Sequence, residues 1–186
     1  MSNIAKHTAR IRNVINILKV TDELVKNRKQ WLILTSALDV LEDTNLAIDS
    51  YSKHFGTKME FASGYLEIYG VLQAMFIQQT AVKNIFETFK IPFDKSEVLN
   101  SIRLIRNKAI GHPMNQGKGS SHYITRVSMC WEGFTLLKAG HNISDDNSAL
   151  QVDLKTFIVQ QNEILERRLD NCARIVENRY AHYINE

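Results

Sequence analysis

Proline occurs at only two places in this chain, Pro92 and Pro113. It removes a backbone donor and clashes with the preceding turn, so it is the strongest interruption a helix meets. Long stretches run without it. Within them apolar residues recur at three- and four-residue steps, the period of a helix with one buried face. The first such repeat covers about Ile4 to Asn27, through Ile11, Val14, Ile15, Leu18 and Leu24. A second helix is expected from about Trp31 to Lys53, through Leu34, Leu38, Leu41 and Ile48, ending before Gly56. A third spans about Tyr65 to Phe89, with Leu72, Met75, Phe76, Val82 and Phe86 on one face and Pro92 as its stop. Ser96, three residues before Leu99, is an N-cap candidate for a fourth. That helix carries Leu99, Ile102, Ile105 and Ala109 and ends at Gly111-His112-Pro113, glycine at the terminus and proline beyond it.

A polar loop, MNQGKGSS, separates this helix from a stretch of different character. Val127, Met129 and Trp131 alternate, Phe134 and Leu136 alternate, and Glu132-Gly133 lies between. This pattern predicts a β-hairpin. After a second polar loop, HNISDDNS, a long helix is expected from about Asp153 to Tyr183. The fold class is therefore mainly α: a bundle of about five helices, with a hairpin at about 122–138 inserted between the last two. At 186 residues one domain is the simplest organisation. An apolar content of 44% and a charged content of 23% suit a packed core and argue against disorder.

Cys130 and Cys172 read as free thiols of a reducing compartment. The N-terminus lacks the apolar stretch of a secretory signal. No uncharged apolar run approaches the roughly 20 residues of a membrane helix. A cytoplasmic protein without membrane contact is expected. No Cys/His set has zinc-ligand spacing, and no metal or cofactor is implied. The net charge of +3 permits an acidic partner without requiring one.

The end of the fourth helix concentrates the chemistry. On a helical wheel Arg106 falls beside Ile102, inside the apolar arc, and Asn107 falls off it. A cation on a buried-facing stripe needs an anion or several acceptors, either a carboxylate of the fold or a phosphate from outside. Helix rules alone offer a plainer account: basic residues and histidine favour helix C-termini through the macrodipole.

The run Arg106-Asn107-Lys108-Ala109-Ile110-Gly111-His112 is an arginine, a polar residue, four further residues and a histidine. It resembles the signature of the HEPN superfamily, helical-bundle proteins that include many RNA-cleaving toxins and defence nucleases. The resemblance implies a HEPN-like helical domain and a metal-independent endoribonuclease, active as a homodimer in which two motifs line one cleft. Arg106, Asn107 and His112 would be catalytic. His112 would exchange a proton with the 2′-hydroxyl or the leaving 5′-oxygen. Arg106 would bind the phosphate and stabilise its transition-state charge, and Asn107 would orient the histidine or a phosphate oxygen. RNA is the implied substrate, with an antitoxin or regulatory protein as a possible partner. Some members carry a tyrosine two places after the histidine, which an antitoxin modifies; here Met114 stands there. The competing class is a non-catalytic helical module that binds a protein, RNA or nucleotide.

Gln79, Lys108 and Arg103 are candidate substrate-binding residues. Gln79 lies in the apolar arc of the third helix, where a bond to neighbouring backbone is equally natural. Lys108 and Arg103 flank the motif, and a solvated helix face explains such charges too; Lys118 lies in the glycine-bearing loop, where it could grip a strand. Basic residues also cluster at Lys6, His7, Arg10 and Arg12 and at Arg167, Arg168, Arg174 and Arg179. Carboxylates interleave the second group, so a salt-bridged helix is the default there. Asp39, Glu42 and Asp43 read as a solvent-facing acidic turn, and Trp131 as a core plug or an exposed contact.

Overall fold

The computed structural model describes residues 3–111, 121–139 and 149–184. The fold is mainly helical with a small antiparallel sheet. Its order is α1 (Ile4–Ile15), α2 (Leu18–Val25), α3 (Arg28–Ser52), α4 (Phe61–Thr88), α5 (Glu97–Arg106), a π-helical turn (Asn107–Gly111), β1 (Ser121–Ile124), β2 (Gly133–Ala139), β3 (Ala149–Asp153), α6 (Leu154–Arg179) and α7 (Ala181–Ile184). The two polar loops read from the sequence, MNQGKGSS and HNISDDNS, lie largely outside the described residues. No described helix is long and apolar enough to cross a membrane.

The chain divides into two compact units, and the divisions fall within α3, α4 and α6 and between Lys95 and Ser96 ahead of α5. Unit 1 comprises Met1–Ala47, Ile77–Lys95 and Gln161–Glu186. Its interior includes Ile4, Ile11 and Ile15 of α1, Leu34, Leu38 and Leu41 of α3, Val82, Ile85 and Phe86 of α4, and Leu165, Leu169 and Val176 of α6. One long first helix was expected here, and the structure has two. Ile17 is extended, at φ −66° and ψ 125°, and the Thr21 hydroxyl donates to the Ile15 carbonyl at 2.6 Å. This break turns the second segment so that Val20 is fully buried while Leu18 is 74% exposed. At the far end of α4, Lys90 adopts a left-handed φ of 56°, and Ile91 N–H donates back to the Phe86 carbonyl at 2.9 Å. The helix therefore closes ahead of Pro92 with a left-handed terminal residue.

Two arginines of α1 in unit 1 have carboxylate partners. Arg10 holds Glu177 through two bonds of 2.8 and 2.6 Å and Asp170 at 2.6 Å. Arg12 holds Glu42 at 2.9 Å and Asp39 at 2.6 Å. The acidic turn of α3 is thus paired to α1.

Unit 2 comprises Ile48–Phe76 and Ser96–Gln160. One apolar cluster joins Ile68, Leu72 and Met75 of α4, Ile102 and Ile105 of α5, Ala109 of the π-helical turn, Phe134 and Leu136 of β2, and Leu154 and Ile158 of α6. Trp131 belongs to it, 8% exposed, stacked on His54 at 4.4 Å and edge-on to Tyr51 at 5.2 Å. It is a core plug.

The expected hairpin is replaced by a three-stranded antiparallel sheet in the order β1-β2-β3. Val127 is not in a strand; it is 81% exposed in a short 3₁₀ turn, Arg126–Ser128. The Ser128 hydroxyl accepts the Thr135 N–H at 2.8 Å, taking a ladder donor that a strand at that position would have used. The strand that pairs with β2 lies earlier, with His122 opposite Lys138 and Ile124 opposite Leu136. The third strand places only Val152 in the interior, so no alternation announced it. Asp153 then caps α6, accepting the Thr156 N–H at 2.8 Å.

Gly133 begins β2 opposite Asp153. A Cβ there would stand 2.0 Å from the Val152 carbonyl oxygen, far inside contact distance. Gly133→Ala is therefore expected to force β3 off β2 and cost about 2–3 kcal/mol or more, as overpacking against backbone does. Urea unfolding with an unchanged midpoint would refute this. In unit 1, the Arg10 bonds hold the Glu177 and Asp170 carboxyls below their ordinary range. Their stabilisation is complete above the unfolded carboxylate pKa and is lost as pH falls through the lower folded values. Arg10→Met is expected to flatten the acid limb of a melting-temperature profile below about pH 5. An acid limb as steep as that of the parent chain would contradict it.

Candidate functional site

The Ser96 hydroxyl accepts the Leu99 N–H at 3.4 Å, and Glu97 lies in the first turn of α5, where the macrodipole favours an acid. Leu99, Ile102 and Ile105 face inward. Regular α-helix ends at Arg106, and the backbone widens into the π-helical turn. Such turns are rare and frequent at functional sites. This one keeps Ala109 in the core and leaves Asn107 exposed.

Arg106 sits half-buried at the junction. Its Nε and Nη2 both donate to Gln73 Oε1, at 3.0 and 2.7 Å, and its Nη1 donates to Asn107 Oδ1 at 3.0 Å. Its guanidinium lies over the Phe76 ring at 4.7 Å, and that of Arg103 lies over the same ring at 4.5 Å. Burial lowers the Arg103 pKa, yet a guanidinium stays protonated in a protein. Among the described residues no carboxylate pairs with Arg106. The cation is held by neutral amide oxygens and an aromatic face, which orient it without cancelling its charge. Asn107 spends its oxygen on Arg106, so its amide NH₂ remains as a donor.

Unit 2 thus brings Arg103, Arg106 and Asn107 together around Gln73 and Phe76. Lys108 follows on the π-helical turn. Gln79 belongs to unit 1, 2% exposed, where its amide donates to Gln161 Oε1 at 2.7 Å and Gln161 in turn donates to Gln78 Oε1 at 2.8 Å. Its amide thus has a side-chain partner. His112 and Lys118 lie outside the described residues. The sequence reading passed over Gln73. Its signal was a glutamine inside an uncharged stretch from Ile68 to Val82, since a polar side chain there must find a partner.

It also passed over His122. This residue sits on β1 opposite Lys138 and is 8% exposed. Its Nδ1 is buried and has no hydrogen-bond partner among the described residues. A pocket of about 300 Å³ opens here, lined by Tyr65, Tyr69, Ala109, Ser121, His122, Tyr123 and Ile124. Burial is the main cause that lowers the His122 pKa, with Lys108 and Lys138 adding to it. The ring is therefore neutral at pH 7, one nitrogen a donor and the other an acceptor. Among the described residues no cluster of three His, Cys, Asp or Glu side chains is placed to hold a metal.

Compared with models of protein families, with curated proteins and with solved structures, the chain gives no match.

Because Gln73 and Arg106 share two bonds to a charged donor, their contributions are expected to couple. A double-mutant cycle of Gln73→Ala and Arg106→Met should return an interaction of about 1 kcal/mol in urea unfolding. Strict additivity would show that the pair does no mutual positioning.

Proposed function

We propose that the protein is a HEPN-type, metal-independent endoribonuclease of the cytoplasm, acting as a homodimer and serving as a toxin or defence effector under an antitoxin or other regulatory partner. The helical bundle of this reading is a HEPN-like one, with the small sheet as an insertion ahead of its last long helix. The observation that carries the reading is the Arg106 guanidinium, fixed by Gln73 and Asn107 with its charge unspent, six positions before a histidine. A phosphodiester supplies the anion that this cation lacks among the described residues.

The RNA strand brings its own nucleophile. The 2′-oxygen attacks phosphorus as His112 takes its proton, the P–O5′ bond breaks, and the departing 5′-oxygen is protonated by the same imidazole or by that of a second subunit. Arg106 binds two phosphate oxygens and stabilises the added charge. The Asn107 NH₂ donates to a phosphate oxygen or to the imidazole, and Arg103 and Lys108 hold neighbouring phosphates. The products are a 2′,3′-cyclic phosphate and a 5′-hydroxyl, and DNA, lacking the 2′-hydroxyl, is not cut.

The test is cleavage of end-labelled single-stranded RNA in EDTA. The parent chain is expected to cut it. His112→Ala and Arg106→Ala should each lose about 100-fold or more, with circular dichroism and unfolding midpoints showing that both remain folded. Full cleavage by His112→Ala would sink the proposal. So would an inert parent chain that instead binds a protein partner tightly, the behaviour of a non-catalytic module.

A further inference from the structure

We infer that the pocket between β1 and α4 in unit 2 is a binding site for one unstacked nucleobase, held by His122 and faced by Tyr65 and Tyr69. The choice of a nucleobase rests on the reading of the protein as an enzyme of RNA, but the site itself rests on separate observations. The first is an orphaned polar atom. His122 Nδ1 is buried without a partner among the described residues, in a residue only 8% exposed. A buried polar atom left unpaired is costly, and a ligand that hydrogen-bonds it recovers that cost. The second is the wall. Tyr65 and Tyr69 lie edge to face at 6.0 Å and both border the cavity, and an aromatic ring of this kind is what an unpaired base stacks on. The third is charge. Lys138 is the cross-strand neighbour of His122, and both Lys138 and Lys108 act on its ring. Two ammonium groups beside an apolar aromatic cleft suit a base that carries a phosphate.

Size agrees. The volume of about 300 Å³ lies at the small end of the ligand-pocket range of about 300–1,000 Å³, fit for a single base with part of its sugar. A neutral imidazole also presents Nδ1 as either donor or acceptor, so it reads the edge of a base and not its charge. Ala109 of the π-helical turn lines the same pocket, three residues after Arg106, so a base seated here belongs to a strand whose backbone runs past the motif. The site would give the nuclease a base preference next to the cut.

The test titrates the full chain, labelled with ¹³C-histidine, with AMP, GMP, CMP and UMP in turn. The His122 ring resonance is assigned by its disappearance in His122→Phe. At least one monophosphate is expected to shift it saturably, and Tyr69→Leu, at a half-exposed position, should weaken that binding about tenfold, as loss of one stacking ring does. Absence of any saturable shift with all four, or unchanged affinity in Tyr69→Leu, overturns the pocket assignment. RNA cleavage is followed in parallel. Cleavage without a shift at His122 removes this site and leaves the nuclease; a shift without cleavage removes the nuclease and leaves the site.

Discussion

A guanidinium set beside a buried isoleucine must find oxygen acceptors, and the character of unit 2 follows from which ones it finds. Arg106 stands one turn after Ile102 on the inward side of α5. Its acceptors are Gln73 and Asn107, both neutral. An aspartate at either position would have satisfied the same donors and cancelled the charge. Neutral amides satisfy the geometry and leave the electrostatic demand standing. Phe76 adds a surface that tolerates two guanidinium groups at once, because its ring face is negative while its body is apolar.

Unit 1 solves the same problem in the opposite way. Arg10 and Arg12 each meet two carboxylates, so their charge is consumed in joining α1 to α6 and to α3. The N-terminal basic cluster thus gives Arg10 and Arg12 over to those pairs. Buried amides in this unit, Gln79 and Gln161 among them, pair with one another. They serve the interior, where an unpaired amide is costly. Compensated charge marks structure here, and uncompensated charge marks the place to look for a ligand.

The long helices were legible because nothing interrupts their apolar period, and Ser96, Asp153 and Pro92 fall at or near their ends. The break at Ile17 was not, because the repeat continues through Leu18 and only the competing demand to bury Val20 stops it. The hairpin was misplaced for a related reason. Alternation at Val127, Met129 and Trp131 imitates a strand, while a serine hydroxyl at Ser128 closes the turn instead. β3 escaped notice because three of its five residues precede Val152 on exposed positions.

For the candidate site, the sequence by itself determined that a histidine follows the arginine and the asparagine within six positions, since their spacing along the chain is covalent. It also determined that Arg106 falls on the inward stripe, because a helix turns by a fixed angle per residue. Only the tertiary structure decided what meets the guanidinium. Gln73 and Phe76 lie on another helix, and their approach depends on how α4 packs against α5. The same holds for His122: nothing in its neighbours in sequence sets it apart, and its orphaned nitrogen, its tyrosine walls and its lysine neighbours exist only once β1 is laid beside β2 and the π-helical turn. Local periodicity acts along the chain, whereas desolvation and partnering act across it.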